Sequence, residues 1–129
     1  MELRGRIIKE GIAEGIALVS PEPIGFLGGV DPETGIVIET GHPLHGQCVT
    51  GRVLVFPTGK GSTVGSYTLY RMARTGTAPA AIINAESEAI VAVGAILGDI
   101  PMVDRVDITL IHTGDRLRIE GERVLVLSS

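Results

Sequence analysis

Three short apolar runs decide how this chain folds: Arg52-Val53-Leu54-Val55-Phe56, Ala80-Ala81-Ile82-Ile83 and Pro101-Met102-Val103. Each is rich in aliphatic residues and bounded by Gly, Pro, Asn or Asp, which reads as a buried strand. Between the first two runs, Ser62 is placed as an N-cap for a helix from Thr63 to Thr75, stopped by Gly76. Val64, Leu69 and Met72 are expected on its inner face. Between the second and third runs, Glu86 to Leu97 reads as another helix, ending at Gly98. Strand–helix–strand–helix–strand from Arg52 to Val103 predicts a short run of parallel βαβ units.

Outward from this centre the chain is strand-rich. Leu3 to Lys9 reads as one strand and Gly11 to Ser20 as a second, with Gly11 and Gly15 as candidate bulges. Ile24 to Leu27 and Ile36 to Glu39 read as short strands around the turn-dense Gly28-Gly29-Val30-Asp31-Pro32-Glu33-Thr34-Gly35. Thr40 to Gly46 is a loop. Ile108 to Ile111 is ambiguous. Leu117 to Ile119 and Arg123 to Leu127 form a hairpin turned at Glu120-Gly121-Glu122. The expected fold is α/β: one domain over residues 1–129, strand-rich, with two main helices in the second half. Its flanking strands build separate β-layers.

At 129 residues the chain is long enough for a real core. That core is aliphatic, because there is no Trp and only two Phe and two Tyr. Eleven Lys and Arg against fifteen Asp and Glu give a net charge of −4 with no basic run. This argues against a nucleic-acid partner, which needs clustered cations. The single Cys48 excludes an intramolecular disulfide and any thiolate cluster built from this chain alone. The N-terminus lacks a signal-peptide pattern, and no run approaches the length of a membrane span. The expected location is the cytoplasm, with no membrane partner.

One segment carries chemical interest: Phe56-Pro57-Thr58-Gly59-Lys60-Gly61-Ser62-Thr63-Val64-Gly65-Ser66. It joins a buried strand to a helix start, where free N–H groups favour anions. It is not a P-loop, because Leu54 takes the first Gly position and Gly61 follows Lys60. It is not a dinucleotide fingerprint, because Val64 takes the third Gly position. Ser62 has two readings. On pattern alone an N-cap hydroxyl is the commoner use of such a serine. The other reading is a ligand-facing base, its alkoxide stabilised by the helix start and a nearby cation. Gly59 and Gly61 would clear space for close approach, and Lys60 would supply a point charge for phosphate.

Other candidates read as structural. His42 and His45 form a His-x-x-His pair with no third ligand at useful spacing, so loop packing outweighs metal binding. Asp31 reads as an Asx-turn residue, His112 as isolated, and Cys48 as small and half-buried.

Several segments together resemble the small subunit of the aconitase X family. They are Glu14 to Ser20, Phe26 to Gly35, Gly41 to Gln47, Phe56 to Tyr70, Pro79-Ala80-Ala81-Ile82-Ile83-Asn84, Gly94-Ala95-Ile96 and Pro101-Met102-Val103-Asp104. The likeness runs in order along almost the whole chain, and Cys48 stands where the family more often has Ser. It implies a swivelling β/β/α domain like the mobile domain of aconitase. It also implies a large partner subunit holding an iron–sulfur cluster of the 4Fe–4S kind, with none bound by this chain. The implied reaction in the archaeal branch is dehydration of (R)-5-phosphomevalonate to trans-anhydromevalonate 5-phosphate, a step towards isoprenoids. In it, a cluster iron polarises the departing C3 hydroxyl while Ser62 removes a C2 proton. Lys60, Gly61 and Thr63 are the implied substrate-binding residues. Two other readings remain: a related dehydratase, such as that for cis-3-hydroxy-L-proline, and a non-catalytic swivelling binding or carrier module using His42 or His45.

Overall fold

Eleven short elements, described over residues 1–129 in a computed structural model, make up the chain. In order they are β1 (Glu2–Arg4), β2 (Arg6–Lys9), β3 (Ile12–Val19), β4 (Val53–Phe56), α1 (Gly65–Thr75), β5 (Ala81–Asn84), α2 (Ala89–Gly98), β6 (Met102–Asp104), a 3-10 turn (Ile108–Leu110), β7 (Arg116–Glu120) and β8 (Arg123–Ser128). The strands hydrogen-bond in the order β1-β8-β7-β3-β4-β5-β6-β2. The centre, β3-β4-β5-β6, is parallel, as the βαβ reading requires. β2 closes one end antiparallel, and β7, β8 and β1 continue antiparallel from the other.

Strand alternation sorts the core into two faces. Leu18, Leu54, Ile82 and Met102 lie in register and pack with Leu69 and Met72 of α1 and with Val91 and Ala95 of α2. Ala17, Val53, Val55, Ala81, Ile83 and Val103 pack on the opposite face with Leu117, Ile119 and Val124 of the antiparallel ladder. The layers are therefore antiparallel ladder, parallel sheet and helices, the expected β/β/α stack. The two β-layers are continuous, however, because β3 serves both. Its residues Ile12 to Ile16 pair with β7 and Ala17 to Val19 pair with β4.

Several local expectations are corrected. Leu3 to Lys9 is two strands, because Gly5 turns the chain between β8 and β6. A Cβ at Gly5 would lie 2.3 Å from the Asp104 carbonyl oxygen, so only glycine sits there. Neither Gly11 nor Gly15 marks a bulge. The β3–β7 register is regular, and the register shifts fall between Ile7 and Lys9 in the β2–β6 pairing and between Arg116 and Leu117 in the β7–β8 pairing. Gly15 instead allows close approach to the Gly51 carbonyl. Ile24 to Leu27 and Ile36 to Glu39 make single bridges only, Ile24 to Gly59, Val37 to Val30 and Ile36 to Cys48, because their backbone groups bond several different segments and no one neighbour runs alongside them. Ile108 to Leu110 is a 3-10 turn. No helix is long and apolar enough to cross a membrane.

The carboxyl ends of the parallel strands are held by polar anchors. Asp104, at the end of β6, has a fully buried side chain. It accepts two bonds from the Arg6 guanidinium (3.0 and 2.8 Å) and two from the Ser87 N–H and hydroxyl (3.1 and 2.7 Å). Burial opposes its ionisation, but these four bonds outweigh it and hold the carboxyl down at about 2. A depressed carboxyl stabilises the fold above its unfolded pKa, and that contribution disappears as pH falls through the folded value. The shift corresponds to about 2 kcal/mol. Denaturant titrations of wild type and Asp104→Asn should thus differ by about 2 kcal/mol at neutral pH. The two curves should converge only as pH falls through about 2, because only the wild type loses this contribution there.

Candidate active site

The Ser62 loop leaves the sheet at the carboxyl end of β4, where open α/β sheets place ligands. Pro57 ends the ladder because it has no N–H to give. Its carbonyl nevertheless accepts the N–H groups of Ala85 (3.1 Å) and Glu86 (3.0 Å). Thr58 and Lys60 then bracket Ile24, through Ile24 N–H to the Thr58 carbonyl (3.3 Å) and Lys60 N–H to the Ile24 carbonyl (3.1 Å). Gly59 is buried against the start of α2. A Cβ on it would sit 2.4 Å from Glu88 Oε1 and 2.5 Å from Val91 Cγ2. Glu88 caps α2, accepting from Ile90 N–H (2.9 Å) and Val91 N–H (2.7 Å). The loop is seated on three sides before it reaches Ser62.

Ser62 is exposed, and it is not the N-cap. The α-helix begins at Gly65, two residues later than the spacing predicts. The N–H groups of Gly65, Ser66 and Tyr67 bond three residues back, to Ser62, Thr63 and Val64, so the entry is 3-10-like. Ser62 Oγ accepts from Val64 N–H at 3.2 Å, a local serine turn. Val64 is half-exposed and leaves the inner face of α1 to Leu69 and Met72, with Gly65, Ser66 and Thr68 also buried.

The tight entry leaves a polar surplus. The N–H groups of Gly61, Ser62 and Thr63 find no acceptor within the chain. Gly61 adopts φ +100°, which glycine tolerates. The first turn of α1 carries no acidic residue to neutralise its positive end. Ser62 Oγ is thus a hydroxyl already receiving one N–H, beside three more donors, on uncompensated positive potential. Chemically, this arrangement lowers the cost of an oxyanion there and receives an anionic group.

Lys60 is engaged in an ion pair. Its Nζ pairs with Glu39 Oε2 at 2.9 Å, so its charge is already countered. Glu39 had no signal in the sequence, because it lies 21 residues away on a turn-rich segment. Thr63 is exposed with its hydroxyl unbonded.

The remaining candidates are structural. His42 is buried, with Nδ1 accepting Leu44 N–H (3.0 Å) and Nε2 donating to the Pro23 carbonyl (3.0 Å). Both ring nitrogens are occupied, and His45 is exposed. Asp31 Oδ1 accepts Glu33 N–H (2.9 Å), the Asx turn expected. Cys48 is exposed rather than half-buried, its thiol directed to the Thr34 carbonyl on the outer side of the turn. The donor set does not fit an iron–sulfur cluster: there is one cysteine, and no three His, Cys, Asp or Glu side chains come together.

The Aconitase X swivel domain family matches residues 2–127. The phosphomevalonate dehydratase small subunit of Pyrococcus furiosus is 53% identical over 123 residues, covering 95% of this chain and 92% of that one. The protein of the same name from Methanocella arvoryzae is 55% identical over 124 residues, covering 94% of each. The crystal structure of Thermococcus kodakaraensis aconitase X in its holo form superposes with a TM-score of 0.97 at 51% identity, over 99% of both chains. With a β/β/α stack, a serine loop at the carboxyl edge of its parallel sheet and these relatives, the chain belongs to the aconitase X swivel-domain family.

Proposed function

We propose that this chain is the small subunit of a two-chain phosphomevalonate dehydratase, acting as one swivelling domain over residues 1–129. It is active only with a large partner subunit. The observation that carries its catalytic part is the Ser62 loop: a hydroxyl receiving the Val64 N–H beside three backbone donors with no acceptor in the chain. The substrate is assigned by kinship, because relatives alike over nearly their whole length bear that name. The enzyme is cytoplasmic, and its 4Fe–4S cluster belongs to the large subunit.

This chain's share of the reaction is the proton at C2 of (R)-5-phosphomevalonate, beside the carboxylate. Ser62 Oγ takes that proton as a general base. The Val64 N–H and the positive end of α1 stabilise the oxyanion form that makes it basic. The N–H groups of Gly61, Ser62 and Thr63 hold an anionic group of the substrate and orient the C2–H bond towards Oγ. Thr63 adds a hydroxyl donor. Lys60 takes part by exchanging the Glu39 carboxylate for a substrate oxygen.

The test uses both chains, reconstituted anaerobically with iron and sulfide, with product followed by phosphorus NMR. Turnover of 5-phosphomevalonate should require both chains. cis-3-Hydroxy-L-proline should give none. Ser62→Ala should assemble normally and lose about 100- to 10,000-fold in kcat. Retained turnover in that variant would remove Ser62 from the role of base. Gly59→Ala, whose Cβ displaces the loop from Glu88 and Val91, should lose about 10-fold or more in kcat with assembly intact.

A further inference from the structure

We propose that Asn84 is a positioning residue for Ser62, its side-chain amide fixing the point at which β4 turns into the Ser62 loop. This inference rests on Ser62 being the base. Asn84 ends β5 and is fully buried. It lies in register with Phe56, the last residue of β4. Its side chain lies on the same face as Ile82, in the row that Leu54 and Ile82 fill with apolar side chains. An aliphatic residue would continue that row.

Instead the position holds an amide. Its Nδ2 donates to the Phe56 carbonyl at 3.0 Å and to the Ile83 carbonyl at 3.2 Å. Both partners only accept, so the NH2 end must face them and the amide cannot be reversed. The consequence is that Oδ1 is buried with no hydrogen-bond partner. A buried acceptor left unpaired costs stability, and such groups are rare in folded proteins. Leucine, of similar size, would remove that cost. The amide is kept, then, for the bond its Nδ2 makes.

That bond sits at a mechanically decisive place. Phe56 is followed by Pro57, whose carbonyl is held by the next two N–H groups of the same segment, Ala85 and Glu86. Asn84, Ala85 and Glu86 therefore grip two successive carbonyls at the exit of β4. From there, five residues reach Ser62. A rotation of the Phe56 peptide would be carried along the loop to Oγ, which must meet a C–H bond within a fraction of an ångström.

Asn84→Leu tests this in the assembled two-chain enzyme. The expected result is a fall of about 10- to 100-fold in kcat with KM held within about twofold and normal assembly. Hydrogen–deuterium exchange should quicken in the peptide spanning residues 57–64 and stay unchanged in α1. A core role alone would not move exchange and kcat together while sparing KM. Unchanged kcat, unchanged exchange at 57–64, or failure to assemble would each overturn the positioning role. Ser62→Ala, run alongside, separates the two readings. An active Ser62→Ala enzyme overturns the base itself, whereas an inactive one beside a wild-type-like Asn84→Leu overturns only the positioning.

Discussion

The Pro57 carbonyl is the point on which the site depends. Two consecutive N–H groups, of Ala85 and Glu86, converge on it from the end of the neighbouring strand. Proline ends β4 by withholding a donor, yet its own acceptor ties the exit of β4 to the exit of β5. The segment after β5 is tied in turn to β6, through the Ser87 bonds to Asp104 and the Arg105 N–H bond to the Ala85 carbonyl (3.0 Å). The loops at the carboxyl edge are therefore one hydrogen-bonded assembly. Because side chains alternate with a period of two, a one-residue slip of β4 against β5 would break this clamp and turn Phe56 from the helix-side core into the opposite core face. Core packing and loop position are set by the same register.

The chemistry follows from how α1 begins. An α-helix whose first turn used a conventional N-cap would spend its Ser62 oxygen on an N–H inside the helix. Here the entry is tighter, and Oγ bonds Val64, which precedes the helix. The helix's positive end and the Gly61–Thr63 N–H groups, adjacent in sequence, are then left without a local acceptor. Lys60, the one cation of the loop, is countered by Glu39. The positive potential at Ser62 thus comes mainly from the backbone, which is fixed by the fold and needs no side-chain ordering.

Much of this was legible in the chain itself. The apolar runs at Val53, Ala81 and Met102 are short, aliphatic and punctuated, so period and boundary signals agreed. The hairpin around Gly121 was equally plain. What failed was local. A run such as Leu3 to Lys9 looks continuous, because nothing in its composition reveals that Gly5 must clear the Asp104 carbonyl from 99 residues away. Ile24 to Leu27 and Ile36 to Glu39 have strand-like residues, but their N–H groups bond scattered partners instead of one ladder: Ile24 to Thr58, Val37 to Gln47, and Ile38 and Glu39 both to Gly29. Ser62 stood out by its glycine setting. Glu39, Glu88 and Asn84 did not, because their meaning is a partner brought close only by the fold.

The exposure of Ser62 determines what this chain can do alone. In water the hydroxyl exchanges its donors for solvent, and the α1 terminus acts through a high dielectric that leaves it little leverage over an oxyanion. The same dipoles gain several-fold in strength once water is excluded, because a Coulomb term scales inversely with dielectric. The loop is anchored by its hydrogen bonds through Thr58 and Lys60 but is exposed from Lys60 to Val64. Under the proposed function, a serine so placed would act as the base only when another surface closes over it. On that reading, a β/β/α stack with its serine loop at an edge would let such a closure be made by moving the whole domain rather than by reshaping the loop.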